Sequence, residues 1–128
     1  MRFAKIVFRI AGVWGFVVLT PLYFLLDLIG RRYPPAITHP DFYYGFVGIT
    51  LVWQVAFLVI ANDPVRFRPM MIPAILEKFI YVISVGVLYA RGLLQGGQLL
   101  PALPDIPLGI LFVAAFLKTQ EFSAPEKR

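Results

Sequence analysis

The sequence predicts an all-α polytopic membrane protein, a bundle of four transmembrane helices running up and down in antiparallel order. Three observations predict it. Hydrophobic residues fill 59% of the 128 positions and charged residues only 15%, against about 25% charged in a soluble domain. The mean hydropathy is correspondingly high, at +0.78. The apolar residues also fall into four runs, at about 6–29, 42–61, 73–90 and 105–120, each near the roughly 20-residue length that spans a bilayer as a helix. Four spans consume about 80 positions and leave only short loops, so residues 1–128 form a single integral membrane domain.

The first run follows a basic start, MRFAKIVFR, and is too long for the apolar core of a cleaved signal peptide. Pro21 lies inside it, removes a backbone donor and should kink the helix around residues 17–20. Pro34, Pro35 and Pro40 then mark a loop, and Asp41 is placed to cap span two. Gly12 and Gly15 on span one, and Gly45 and Gly48 on span two, offer small-residue faces for close helix packing or for a homo-oligomer. The linker 62–72 (NDPVRFRPMMI) permits only an antiparallel hairpin into span three, with Pro73 in that helix's first turn. Residues 92–104 (GLLQGGQLLPALP) are poorly periodic and read as a loop lying in the interface, or as residues drawn partly into the short span four. The tail 121–128 is polar and reads as disordered.

Charge placement gives the orientation. Arg2, Lys5, Arg9, Arg66, Arg68, Lys118, Lys127 and Arg128 fall on one side of a four-span chain, against Arg31, Arg32 and Arg91 on the other. The positive-inside rule then puts both termini in the cytoplasm. The net charge of +5 is spread singly over span ends, a pattern of topology signals that argues against a nucleic-acid partner. There is no cysteine, which excludes disulfides, thiolate metal sites and CxxC redox chemistry.

Polar residues at membrane depth are costly and therefore informative. Arg9, Gln54 and Glu77 fall at similar depths, within about two turns of the side that holds the N-terminus. The expectation is an Arg9–Glu77 ion pair with Gln54 beside it, either locking helices together or anchoring a ligand or proton. Lys78 lies 100° round the helix from Glu77 and is expected to snorkel to the headgroups instead. Asp27, His39, Asp41, Arg91 and Asp105 are assigned to the opposite surface, and the lone His39 is too little for a metal site. No nucleophile–base pair, phosphate loop or paired-carboxylate motif stands out, so no catalytic residue, metal or cofactor is assigned and the chain is not read as an enzyme. Trp14 and Trp53 read as packing or lipid-facing residues.

Residues 41–68 (DFYYGFVGITLVWQVAFLVIANDPVRFR), with PAILEK at 73–78 and GILFVAAFLKT at 109–119, resemble a group of small uncharacterised bacterial membrane proteins with four spans. The layout alone also resembles DoxX-like four-helix membrane proteins, some of which are accessory membrane subunits linked to quinone-dependent oxidation. The resemblance implies a bacterial inner-membrane location and brings no assigned reaction. Two functions are expected from these readings. One is a non-enzymatic accessory or structural subunit whose partners are the lipid bilayer and a larger membrane protein or a second copy. The other is a binder or carrier of a hydrophobic small molecule, such as a lipid or quinone, held in the bundle by Arg9, Gln54 and Glu77.

Overall fold

The structure, a computed structural model, describes residues 1–123 of the chain. It is all-helical and contains four helical stretches long and apolar enough to cross a membrane, at Arg2–Phe24, Pro40–Asn62, Arg68–Ala90 and Gly96–Phe122. Lys127 and Arg128, which enter the charge count, lie outside the described residues.

Helix α1 (Arg2–Leu19) gives way at Thr20 to a 3-10 turn, Thr20–Phe24, and then to the short α2 (Leu26–Arg32). The change comes one residue before Pro21, where a missing N–H and a rigid ring end regular α-helix. The backbone loosened there is repaired from the next span: the Tyr43 hydroxyl donates to the Leu22 carbonyl at 2.5 Å. Helix α3 (Pro40–Asn62) begins with Pro40 rather than behind an Asp41 cap. Proline's fixed φ suits the first helical position, and Asp41 still places a negative charge in the first turn.

At the other end of α3, the Asp63 carboxylate accepts from the Arg66 N–H at 3.2 Å and its carbonyl from the Phe67 N–H at 3.0 Å, closing the hairpin turn. A 3-10 turn, Arg68–Met70, leads into α4 (Met71–Ala90), so the third span begins earlier than residue 73. Helix α4 ends in a Schellman motif. Gly92 adopts a φ of 75°, the Leu93 N–H reaches back to Leu88 and the Gly92 N–H to Tyr89, both at 3.0 Å.

That reversal decides between the two readings of residues 92–104: from Gly96 on they are drawn into the fourth helical stretch, Gly96–Phe122. Gln95 caps a 3-10 helix, Gly96–Ala102, through a reciprocal box with Gln98, and this segment packs on α4 while leading to α5 (Asp105–Lys118). A short α6 (Gln120–Ser123) follows. The fourth span is therefore discontinuous, broken at residues 103–104 between the 3-10 segment and α5, where Pro104 stands at the N-cap of α5. Gly97 runs against the Tyr33 ring of the first loop, where a Cβ would come within 2.5 Å of the hydroxyl.

In a bilayer, helices gain little from hiding apolar surface from one another, so close packing holds the bundle. Gly12 and Gly15 bring α1 against α3: a Cβ on Gly12 would stand 2.8 Å from Leu58, and one on Gly15 would overlap the Gln54 side chain. Gly109 does the same for α5, where a Cβ would stand 2.9 Å from the Phe79 ring of α4. Among the described residues a Cβ on Gly45 would meet nothing within 4 Å and one on Gly48 only the Tyr23 hydroxyl, so the expected small-residue face on the second span is not a close helix-packing face there.

The solid core occupies one end of the bundle. Phe8 of α1 stacks on Phe112 of α5 with ring centroids 4.3 Å apart, and Phe57 of α3 meets Phe112 edge-on at 5.0 Å. Ala4, Ala61, Met71 and Ala115 fill in around them. The same end is tied by basic residues: Arg68 Nε donates to the Phe116 carbonyl at 3.1 Å, and Lys118 Nζ lies 4.0 Å above the Phe3 ring. The start of α1, the α3–α4 hairpin and the end of α5 therefore gather at one face, with Arg31, Arg32 and Arg91 at the other end of their helices.

Candidate ligand cavity

Beyond that core the bundle is hollow. Helices α1 and α3 pack closely, as do α4 and α5, but α3 and α4 touch sparingly although they are consecutive. The broken fourth span lines one side of the resulting space. A cavity of about 590 Å³ results, within the roughly 300–1,000 Å³ range of small-molecule sites. Its walls are mainly apolar and aromatic, with Trp14 from α1, Phe46 and Trp53 from α3, Tyr81 from α4 and Leu100 from the 3-10 segment. Phe46 and Tyr81 face one another across the α3–α4 gap, rings 5.8 Å apart.

The polar groups gather where the cavity meets the core. Lys78 is seven residues into α4, about 10 Å from its start. Its side chain is only 6% exposed. Nζ lies 3.2 Å from Asp105 Oδ1, 3.6 Å from Glu77 Oε2, and 5.1 Å from the centroid of the Phe57 ring in the core. Asp105 stands at the first position of α5, where the helix dipole favours a carboxylate. Glu77 is less well served. Its Oε2 is buried, makes no hydrogen bond among the described residues, and stands in ion-pair range of Nζ but beyond hydrogen-bonding reach.

Gln54 completes the floor. It is 1% exposed, and its Nε2 donates to the Thr50 carbonyl one turn back at 2.9 Å. Its Oε1 is buried without a hydrogen-bond partner among the described residues, seated against Gly15. The hydroxyls of Thr50 and Ser84 are occupied, donating to the carbonyls of Phe46 and Ile80 at 2.6 and 2.7 Å. Two buried acceptors at the floor, Gln54 Oε1 and Glu77 Oε2, are thus without a hydrogen bond among the described residues.

This arrangement corrects three expectations. Arg9 does not meet Glu77: it is exposed on α1 beside Ile6, Ile10 and Val13, because the inward stripe of that helix is Ala4, Val7, Phe8, Ala11 and Gly15. Lys78 does not snorkel to the headgroups. Its long stem lets Nζ come back alongside Glu77 in spite of the 100° offset, and Asp105 draws it inward. Asp105 does not sit at the opposite surface, because the turn at Gly92 sends residues 93–104 back into the bundle. Gln54 and Glu77 both line the cavity. Lys78 and Asp105 were missed as partners; the available signal was the Asp-x-Pro start of α5 together with a lysine about two turns inside the third helix. Trp14 and Trp53 line the cavity rather than only packing.

Comparisons with protein-family models, with curated proteins and with solved structures find no match to this chain.

Proposed function

We propose that this protein is a small inner-membrane binder or carrier of a hydrophobic molecule, taken up in the hollow half of the bundle. One observation carries the reading: a cavity with apolar and aromatic walls ends in a compact polar floor at membrane depth, made by Gln54, Glu77, Lys78 and Asp105. Ligand sites combine these features, with wide apolar contact for affinity and few polar groups for orientation. A charged trio is expensive inside a bilayer, and an accessory subunit whose helices merely pack has no need of it beside a cavity. The accessory-subunit reading is therefore placed second. Arg9, once a proposed anchor, has no part in this site.

The break in the fourth span supports the same reading. Non-helical backbone at membrane depth is tolerated where it lines a cavity, and half-helix ends there commonly face substrates. No covalent step is part of the proposal. We place the protein in a bacterial inner membrane with both termini cytoplasmic, supported by the basic residues gathered at the end that holds Arg2, Arg66 and Lys118.

Native mass spectrometry of the gently solubilised protein tests the proposal. The expected result is a retained small molecule, lost when Thr50→Phe fills the cavity while the helical circular dichroism is unchanged. A bare protein recovered only with a larger membrane partner would favour the accessory-subunit reading.

A further inference from the structure

We infer that the occupant of this cavity is an organic cation: a protonated amine on an apolar body, with Glu77 as its counter-charge. The inference rests on the reading that the cavity takes up an apolar molecule, and it assigns that molecule its head group. The charged residues lining the cavity are Glu77, Lys78 and Asp105, so two carboxylates face one ammonium. Asp105 has both Lys78 at 3.2 Å and the N-terminus of α5 to neutralise it. Glu77 stands further from the same ammonium, at 3.6 Å, and keeps a buried oxygen with no hydrogen bond. A carboxylate held this way at membrane depth favours an incoming positive charge.

Hydrogen-bonding capacity points the same way. The Glu77 side chain lines the cavity and is 16% exposed, and a carboxylate only accepts, so a head group that meets it must donate. An ammonium donates and brings the missing charge in one group. A carboxylate or phosphate would meet Glu77 as a like charge, and Lys78 is already engaged on both sides. The walls suit a cation's body as well: Trp14, Trp53, Phe46 and Tyr81 line the cavity, with rings of the kind that attract cations.

The two tryptophans of the chain, Trp14 and Trp53, both line the cavity, so their fluorescence reports its occupancy. The experiment uses the full chain in nanodiscs of phosphatidylcholine, whose uncharged surface does not select among the probes. Three probes of one shape are added: a bromonaphthyl methylamine, the matching alcohol and the matching carboxylate, each quenching through bromine contact. The expected result is saturable quenching by the amine, with half-saturation at least about tenfold below that of the alcohol, as for a hydrogen bond to a charged group. In Glu77→Gln the amine should fall to the level of the alcohol. In Glu77→Asp, which keeps the charge, part of the preference should return. Equal binding of amine and alcohol, or tightest binding of the carboxylate, overturns the cation assignment and leaves the cavity reading standing. Linear, unsaturable quenching by all three overturns both. Should Glu77→Gln not fold, as judged by circular dichroism, the ratio of the three probes on the unaltered protein decides.

Discussion

Lys78 of the third span and Asp105 of the fourth meet 3.2 Å apart, across the hollow half of a bundle whose other half is solid. Their contact holds the start of α5 at the depth of Lys78. It also joins the broken span to α4 where that span has least helical structure of its own. Because Nζ also serves Glu77, removing any one member changes the charge balance of all three.

Replacing Lys78 with Met should therefore be severe. Two carboxylates would remain inside the bilayer with no cation, at a cost of about 3–5 kcal/mol. Adding Asp105→Asn to Lys78→Met should recover part of that loss, giving a coupling well outside simple additivity. Unfolding in mixed micelles, followed by circular dichroism on the two single variants and the double, measures it.

Gly15 and Gln54 form the second coupled pair. A methyl group at residue 15 would displace the Gln54 side chain, so Gly15→Ala should destabilise by about 1–3 kcal/mol. Gly45→Ala, where a Cβ meets nothing, should change stability by no more than about 0.5 kcal/mol. Unfolding midpoints of the two variants, compared side by side, separate close packing from mere membership of a glycine face.

The left-handed turn at Gly92 is what sends the chain back into the bundle. Gly92→Ala should cost about 1–2 kcal/mol, the penalty of a side chain in that conformation. Gly86, inside α4 with open space around it, should respond with the opposite sign, gaining up to about 1 kcal/mol as alanine. Thermal unfolding of each variant reads the two signs directly.

Arg9 offers a negative control for the site. Since it is exposed on the outward face of α1, Arg9→Gln should leave probe quenching of Trp14 and Trp53 within about twofold of the unaltered protein, as a surface change within 0.5 kcal/mol would. Loss of saturable quenching would return Arg9 to the site.

What could be read from sequence follows from which forces are local. The four spans were legible because run length against bilayer thickness needs no knowledge of neighbours, and the kink at Pro21 because a missing N–H acts on its own helix. Gln54 and Glu77 were legible as polar residues at depth. The Lys78–Asp105 pair was not, since it depends on a chain reversal that one positive φ at Gly92 sets and that hydropathy does not register. Arg9 misled because depth alone was matched. Its angular position on α1, readable from the spacing of Ala4, Phe8 and Ala11, already turned it away from the bundle.

The sparing contact between α3 and α4 bears on how any occupant arrives. Between those helices the Phe46 and Tyr81 rings face one another across the gap, 5.8 Å apart. On the proposed reading, exchange runs through the plane of the membrane, and water is not the phase that supplies the site. Occupancy then follows the mole fraction of ligand among lipids. Diluting the protein with buffer should leave the bound fraction unchanged, whereas adding empty bilayer should drain it.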